Sequence, residues 1–477
     1  MPVLPCHSAV VFADQDLYTS LQEVQETAIR SGCPQIVSIS QGIPNIDPLL
    51  FLQQHFSANQ PYFYWEKQQK GDAIAALGQV QSCTIDGEDR FQRSQDFMNR
   101  CFQNVWQFGQ LDLPFSGVHC FASFTFRNSP FLLNLDRVNS LFAPATLFLP
   151  EVQVSRQDQH SCLVVNCRVD GHSKLSGILQ AIERLIHNIN NLTQLTLNSP
   201  KTHHKIAYQT NPKNDKAFKT AVQSVINLIQ DQELQKIVLA YATDVLYPYP
   251  LNPIHSLNHL RQNHPDCYVF SLSHGENSQF IGASPERLIY INDGTLETDA
   301  LAGSAPRGKT PQDDQKLAQQ LLNSEKEQRE HQAVSDYITT KLSQLGLTPQ
   351  RETLQLLKLA NIQHLWTPIT AQLPPQLHPL EIVSQLHPTP AVAGVPTPVA
   401  CDYIQQYETC DRGLYAAPLG WVDATGNSEF IVGIRSALIS GHHARLYGGA
   451  GIVAGSDPEK EFAEIQLKLQ TMLKALE

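Results

Sequence analysis

The first 200 residues carry the short β-branched and aromatic runs that are typical of strands. One helix is clear among them, over Ser173–Asn190, because its apolar residues recur at the three- and four-residue spacing of a core-facing stripe. The predicted strands are Gln35–Ile43, Pro61–Trp65, Ala73–Val80, Val118–Phe126, Ala145–Ser155 and Ser161–Val169.

A polar stretch from Thr196 to Asp215 interrupts these patterns. We place the main internal boundary there. The chain is thereby divided into an N-terminal strand-rich region, 1–205, and a C-terminal core, 206–477, which we expect to pack into one α+β unit.

The second part mixes strands with long helices. An apolar helical stripe covers Asp215–Gln230, a buried-strand pattern follows at Lys236–Tyr241, and long helices are predicted over Asp313–Leu345 and Pro458–Leu476. No regular βαβ repeat links these elements, which favours an α+β fold over a doubly wound sheet. Further strands are predicted at Tyr268–Ser273, Phe280–Gly282, Arg287–Ile291, Leu296–Ala302, Glu429–Ser436 and His443–Gly448.

Charge and composition narrow the class of ligand. The net charge of −11 is spread along the 477 residues, which argues against a nucleic-acid or anionic-membrane surface and favours a small molecule. No apolar segment approaches the ~20 residues of a membrane span. The segment Met1–Phe12 resembles neither a signal nor a transit peptide, and ten cysteines without a Cys-x-x-Cys pair predict a reduced, cytoplasmic protein.

Two Glu-x-x-Glu pairs stand out, one at Glu327 and Glu330 and the other at Glu461 and Glu464. Glutamates three apart project from one face of a helix. If the two helices meet, four carboxylates converge, and such a group is tolerated around a hard dication such as Mg²⁺. The alternative is that they are solvated faces of two charged helices.

Two further residues suggest acid and base chemistry. Lys236 opens an apolar strand, where partial desolvation lowers the pKa of a lysine toward that of a useful base. Glu286 follows a constrained Ser-Pro turn, and a glutamate held in a pocket can stay protonated and act as a general acid. The alternatives are a lysine that reaches water and an ion pair between Glu286 and Arg287.

An anion site is suggested near the C-terminus. Arg435 ends an apolar strand, where a guanidinium needs either a substrate carboxylate or an internal acid. Lys468 shares a helical face with Glu461 and Glu464, where it lies beside the metal or forms a surface pair with Glu464. The small-residue loops Leu301–Gly308 and Tyr447–Val453 match no nucleotide-binding fingerprint.

Taken in order, these segments resemble the motif set of the chorismate-utilising enzymes. The resemblance runs from Asp215 to the C-terminus and implies large β-sheets packed together, helices outside them and an active site between them. The motifs are Lys236–Ala240, Gly282–Glu286, Leu301–Ser304, Ser324–His331, His387–Ala391, Asp411–Tyr415, Tyr447–Val453 and Asp457–Glu464.

Within this family the residues are most similar to those of isochorismate synthases. Anthranilate synthase component I has glutamine at the place of Lys236, and aminodeoxychorismate synthase component I has lysine at the place of Ala302. Salicylate synthases share both residues and remain an alternative, as does a catalytically silent binding subunit. One departure is Tyr241, where the family commonly has arginine.

The resemblance implies roles for these residues. Lys236 activates a water molecule that adds to chorismate, and Glu286 protonates the departing hydroxyl. Glu330 and Glu464 hold Mg²⁺, with Glu327 and Glu461 binding it directly or through water. No glutamine amidotransferase subunit is expected, because ammonia is not the nucleophile. The residues implied in substrate binding are Ala302, Gly303, Ser304, His331, Thr389, Arg435, Gly449, Ala450, Gly451 and Lys468.

Overall fold

The computed structural model describes residues 14–57, 59–128, 142–197, 212–359 and 362–477. The N-terminal segment 1–12 and the expected boundary between residues 205 and 206 lie outside these ranges. The helices are α1 (Asp14–Ser31), α2 (Pro48–His55), α3 (Arg90–Gln103), α4 (Leu175–Leu192), α5 (Pro212–Gln230), α6 (Pro253–Asn263), α7 (Pro311–Leu322), α8 (Glu325–Gln344), α9 (Pro379–Leu386), α10 (Thr397–Tyr407) and α11 (Pro458–Leu476), with a 3₁₀ turn at Gln68–Lys70.

The strands occur mostly in runs between these helices. They are β1 (Gln35–Ile43), β2 (Pro61–Lys67), β3 (Asp72–Leu77), β4 (Gln81–Ile85), β5 (Val105–Gly109), β6 (His119–Phe124), β7 (Ala145–Leu149), β8 (Val152–Gln157), β9 (His160–Val169), β10 (Lys236–Leu246), β11 (Tyr268–His274), β12 (Gln279–Ser284), β13 (Arg287–Asn292), β14 (Thr295–Pro306), β15 (Gln350–Arg351), β16 (Gln355–Lys358), β17 (Ile362–Gln372), β18 (Gly394–Val395), β19 (Pro418–Asp423), β20 (Ser428–Val432), β21 (Ser436–Ser440) and β22 (His443–Val453).

The strands form two large, mostly antiparallel sheets. A 12-stranded sheet has the order β18-β10-β22-β21-β12-β11-β2-β3-β8-β9-β1-β5. A 10-stranded sheet has the order β15-β17-β14-β13-β20-β19-β6-β7-β4, with β16 paired to β17. Each sheet therefore contains strands from both parts of the chain, and the predicted α+β class with large sheets and outer helices is confirmed.

The core lies between the sheets. Phe63 on β2 and Phe121 on β6 belong to different sheets, and their ring centroids are 4.7 Å apart. A smaller cluster, which includes Leu21, Val37 and Ile182, packs α1 and α4 onto β1 and β9. In the described ranges no helix is long and apolar enough to cross a membrane.

Three predicted elements are interrupted in the structure. The strand expected over Ala145–Ser155 is broken at Pro150 and Glu151, so β7 and β8 are separate and lie in different sheets. The helix expected over Asp313–Leu345 is broken between α7 and α8, where the Ser324 hydroxyl accepts a hydrogen bond from the backbone N–H of Glu327 at 3.4 Å and caps α8. The strand expected over Glu429–Ser436 is broken at Arg435, whose φ is 49°. A left-handed residue cannot continue a strand, so β20 and β21 are separate and lie in different sheets.

Six elements bring the candidate residues together. The Lys236 end of β10 pairs antiparallel with the Val453 end of β22 in the larger sheet. In the smaller sheet β14 pairs with β17, with Ser304 opposite His364. Helix α8 packs on β14, and α11 packs on β22. The two Glu-x-x-Glu helices thus reach one end of the space between the sheets.

Candidate active site

A cavity of about 210 Å³ lies between the two sheets and is bounded by α8 and α11. It collects residues from distant parts of the chain, including most of those singled out in the sequence. Those that line it are Lys236, Glu286, Ala302, Gly303, Ser304, Glu327, Glu330, Arg435, Gly449, Gly451, Glu461, Glu464 and Lys468.

Lys236 is buried, with 5% of its surface exposed. Its Nζ donates a hydrogen bond to Oε1 of Glu330 on α8 at 2.6 Å, so the lysine does not extend to bulk water. Burial by itself raises the pKa of the Glu330 carboxyl, but the charge and hydrogen bond of Lys236 outweigh burial and bring the pKa below its usual value. Lysine and carboxylate therefore form a buried ion pair at the cavity wall.

Glu286 is 7% exposed and lies at the turn between β12 and β13. Burial raises the pKa of its carboxyl to about 7, partly opposed by the positive charge of Lys236. An ion pair with Arg287 is not formed, because that guanidinium contacts Glu297 at 2.6 Å and Asp299 at 2.9 Å. Glu286 can therefore carry a proton near neutral pH, as a general acid requires.

The backbone of Glu286 is held by a small hydrogen-bond network. The buried Ser284 hydroxyl accepts from the Glu286 N–H at 3.2 Å and donates to the Val432 carbonyl at 2.6 Å. The Val432 N–H donates to the Glu286 carbonyl at 3.1 Å. This network ties the turn to β20 and fixes the direction from which Glu286 enters the cavity.

The other glutamates are crowded by like charge. Burial raises the pKa of Glu327, and the nearby charges of Glu330 and Glu464 raise it further. Burial likewise raises the pKa of Glu461, with a smaller contribution from Glu464. Repulsion of this kind is relieved by a cation, so the four carboxylates suit a hard dication in donor type and charge.

The side chains of the four glutamates are not arranged as the coordination sphere of a metal in this structure. Among the described residues, no three Asp, Glu, His or Cys side chains are arranged as a metal site. Glu330 contacts Lys236, and Glu464 contacts Lys468 at 2.7 Å. These lysines occupy carboxylate oxygens that a metal would otherwise bind.

Arg435 faces His364 across the cavity wall. Its Nη2 lies 3.4 Å from Nε2 of His364, while its Nη1 is buried and has no hydrogen-bond partner in the described ranges. Burial and the adjacent Arg435 lower the pKa of His364 to about 3, so the imidazole is neutral. Within the described part of the chain, no carboxylate forms an ion pair with Arg435, which leaves a guanidinium N–H for an anionic ligand.

Two glycines of β22 keep the floor of the cavity open. A Cβ atom on Gly449 would lie 2.7 Å from the Tyr415 hydroxyl, and one on Gly451 would lie 3.1 Å from Cε of Lys236. Lys468 donates to the Gly449 carbonyl at 2.8 Å in addition to its pair with Glu464. Both roles considered for Lys468, a cavity residue and an i, i+4 pair, are therefore present.

Three residues implied in substrate binding do not line the cavity. Ala450 is fully buried and, by strand alternation, points to the opposite face of β22 from Gly449 and Gly451. His331 is buried with Nε2 at 2.8 Å from the Thr367 hydroxyl. Thr389 is buried in the loop after α9, and no described residue forms a hydrogen bond with its hydroxyl.

Sequence reasoning missed several cavity residues. Tyr415 and Tyr447 line the cavity, and their stacked rings have centroids 5.2 Å apart. Both lie inside motifs already identified, so the sequence contained a signal that could have singled them out. Lys326, beside Glu327, had the same signal. His364 had none, because its position on β17 carries no local pattern that separates it from a structural histidine.

The unusual Tyr241 lies behind this site on β10. Its hydroxyl donates to Oδ1 of Asp215 at 2.7 Å, and its ring packs edge-on against Phe218 and Phe462. A phenol that donates to Asp215 and an aromatic cluster therefore stand where the resemblance led us to expect an arginine.

Known proteins share this sequence and architecture. The chain is 33% identical over 452 residues to the salicylate biosynthesis isochorismate synthase of Pseudomonas aeruginosa, covering 93% of this chain and 90% of that protein. It is 30% identical over 461 residues to isochorismate synthase MenF of Bacillus subtilis, covering 92% and 93% respectively.

A solved structure, that of the menaquinone-specific isochorismate synthase MenF from Escherichia coli, matches with a TM-score of 0.76 and 27% identity. The match covers 96% of this chain and all of that one. The family model described as chorismate binding enzyme matches residues 21–477. The cavity, the motif order and these matches together show that this chain belongs to the chorismate binding enzyme family.

Proposed function

We propose that this protein is an isochorismate synthase, which isomerises chorismate to isochorismate in a Mg²⁺-dependent reaction. One observation carries the proposal: a buried lysine and a buried glutamate whose pKa is about 7 line the same small cavity. Water addition to a ring with departure of a hydroxyl needs one base and one acid, and these two residue types supply them.

In the proposed reaction, Lys236 acts as the neutral amine and takes a proton from water as the water oxygen bonds to ring C2. The ring double bonds shift, and the C4–O bond breaks. Glu286 donates its proton to the departing hydroxyl, which leaves as water. One water is consumed and one is released, so the product is an isomer of the substrate.

The remaining residues bind and orient the substrate. Arg435 has an unpartnered N–H for a substrate carboxylate. The glycines of β22 leave room beside the Tyr415 hydroxyl, and the irregular part of β14 at Ala302–Ser304 closes the opposite wall. The three implied residues that do not line the cavity would then act only indirectly, by supporting the elements whose other residues form its wall. They are His331, Thr389 and Ala450.

Mg²⁺ would be held by Glu330 and Glu464, with Glu327 and Glu461 binding directly or through water. When bound, it would neutralise the glutamates and bind the ring carboxylate of chorismate. This proposal is supported by the like-charge crowding that raises the pKa values of Glu327 and Glu461.

Salicylate synthase is the second candidate, because such enzymes also carry lysine and alanine at the positions of Lys236 and Ala302. It would form isochorismate and then eliminate pyruvate in the same pocket. We further propose a cytoplasmic enzyme that acts without an amidotransferase subunit, nucleic acid or membrane. Its product would enter the synthesis of a quinone (menaquinone or phylloquinone), of a catechol siderophore or of salicylate.

Product analysis tests the proposal. Purified protein is incubated with chorismate and Mg²⁺, and the products are separated by chromatography, with Glu286→Gln as the inactive control. Isochorismate without pyruvate supports the proposal. Salicylate with an equal amount of pyruvate would establish the second candidate, and unchanged chorismate would indicate a silent binding subunit.

A further inference from the structure

A second cavity, of about 510 Å³, lies away from the proposed active site, between the N-terminus of α3, the helices α9 and α10 and the segment Phe126–Asn128. Its volume is sufficient for a small organic molecule. No residue of this cavity lines the first one. The second cavity is therefore separate from the proposed active site.

Its wall contains a buried arginine that lacks an acidic partner. Arg90 is 4% exposed, and its Nη1 donates to the Thr125 hydroxyl at 3.2 Å, the Pro144 carbonyl at 3.1 Å and the Arg127 carbonyl. These acceptors are neutral, and no carboxylate of the described residues forms an ion pair with Arg90. Burial lowers the pKa of this guanidinium to about 10, in line with the absence of a neighbouring acid. A buried cation in this condition favours an anion.

A histidine in the same wall lacks a hydrogen-bond donor. His387 is 8% exposed, and its Nε2 lies 3.2 Å from the Phe126 carbonyl, which fixes the proton on Nε2. Its Nδ1 is consequently an acceptor, and this buried atom has no hydrogen-bond partner among the described residues. Burial, with the nearby Arg90, lowers the pKa of His387, so the ring stays neutral. A ligand that donates a hydrogen bond would satisfy Nδ1.

Other groups of the wall agree with this chemistry. Phe91 and Phe126 supply apolar surface, and Cζ of Arg90 lies 5.0 Å from the centroid of the Phe91 ring. The acids Glu88, Asp89 and Asp402 are exposed at the rim, where their charge is screened by water. A fourth acid of the wall, Glu381, is partly buried and accepts hydrogen bonds from Gln95 at 3.3 Å and from the His378 N–H at 3.2 Å. The buried part of the wall thus has the cation, and three of the four acids lie at the rim.

The loop after α9 separates the two cavities. His387 and Pro388 line the second cavity, whereas Ala391 and Val392 line the first. The loop is bonded to β10 on both sides of Lys236: the Gln235 N–H donates to the Val395 carbonyl at 2.9 Å and the Val238 N–H to the Ala393 carbonyl at 2.7 Å.

A buried arginine links the same two segments. Nη1 of Arg412 donates to the Val392 carbonyl and its Nη2 to the Val238 carbonyl, each at 2.8 Å. A shift of the loop would therefore reach the strand that begins at Lys236.

We propose that the second cavity is an effector site for a small organic carboxylate with a hydroxyl or amino group, the carboxylate on Arg90 and the donor group on His387. The occupied site acts on the active site through the loop 387–395. Its ligand binds without being converted, so the site is independent of the reaction proposed above.

Binding is tested with 3-fluoro-4-hydroxybenzoate, followed by ¹⁹F NMR, in an Arg435→Gln background that removes carboxylate binding at the first cavity. The matched probe is 3-fluorobenzoate, which lacks the donor group. We expect saturable binding that is about fivefold weaker for the matched probe, as one lost hydrogen bond implies. Absence of saturable binding, or equal affinity of both probes, would overturn the proposal.

Variants locate the bound probe. Arg90→Gln should abolish binding, but it also removes the contacts to Thr125 and Pro144 and could prevent folding. Gln405, exposed at the rim on α10, therefore provides a matched pair. Gln405→Glu should weaken binding about threefold and Gln405→Lys should strengthen it by a similar factor. If both Gln405 variants bind like the parent, the probe is bound elsewhere and the site is refuted.

Hydrogen exchange tests the coupling. In the Arg435→Gln background, the hydroxylated probe should slow amide exchange in peptides covering residues 387–395, and peptides of the distant helix α4 serve as the control. Binding without slower exchange in the loop would refute an effector role.

Discussion

The ammonium group of Lys236 lies 2.6 Å from Oε1 of Glu330, although 94 residues separate them in sequence. The proposed base is thus in contact with a proposed metal ligand. Each residue sets the electrostatic environment of the other, so substitutions at either position should be judged by binding as well as by turnover.

Lys236→Gln should reduce kcat by about 10²-fold or more, because the amide cannot accept a proton from water. Chorismate binding should persist, since Arg435 and the β22 glycines are unchanged. Turnover is measured by chorismate consumption and binding by calorimetry. Lys219→Gln, which removes a surface ion pair with Glu459, is the control. Near-normal turnover by Lys236→Gln would refute its role as base.

Glu286 should impose a pH dependence on activity. Its pKa is about 7, and the acid must be protonated to protonate the leaving group. We expect kcat/KM to fall as pH rises through about 7. The residual activity of Glu286→Gln should not show this fall. A profile that is flat from pH 6 to 8 in the parent would contradict the assignment.

The same carboxyl should affect stability. Its pKa rises from 4.5 in the unfolded chain to about 7 in the folded one, so the folded state holds the proton more tightly. Stability is therefore full below pH 4.5, falls as pH rises toward 7 and levels off above it, a loss of about 3 kcal/mol. Glu286→Gln should remove this loss. Denaturant unfolding of metal-free protein at pH 5 and pH 8 measures it, and an equal pH response in parent and variant would disprove it.

Chelation of divalent cations should abolish activity, and added Mg²⁺ should restore it. Glu330→Gln should weaken Mg²⁺ binding at least tenfold, because one carboxylate ligand and its charge are lost. Glu325→Gln on the exposed face of α8 is the matched control and should bind Mg²⁺ normally. Calorimetry measures the affinities. Full activity in excess chelator would exclude the metal proposal.

Gly449→Ala should raise KM for chorismate, because its Cβ would lie 2.7 Å from the Tyr415 hydroxyl and would force that side chain to move. Gly177→Ala, on the exposed surface of α4, has its nearest neighbour at 3.8 Å and should leave KM unchanged. Initial rates over a range of chorismate concentrations test both. Equal KM values for Gly449→Ala and the parent would show that the cavity accommodates the added methyl group.

Local sequence patterns predicted much of the fold correctly. Strand β1 and helix α11 have the bounds expected from their apolar periodicity, since periodicity reports which face of an element is buried. Several other elements were missed, including α3 and β17. The break between α7 and α8 was also missed, because one capping serine interrupts an otherwise helical pattern.

Residue types at fixed spacing, together with the family resemblance, singled out most of the side chains that line the first cavity. The two Glu-x-x-Glu pairs are local features of α8 and α11, and Lys236 is a local feature of β10. Four other features were decided only by tertiary structure. They are the pairing of Lys236 with Glu330, the pKa of Glu286, the contact between Arg435 and His364, and the second cavity around Arg90. Each depends on burial and charge supplied by segments far apart in the chain, which local patterns do not specify.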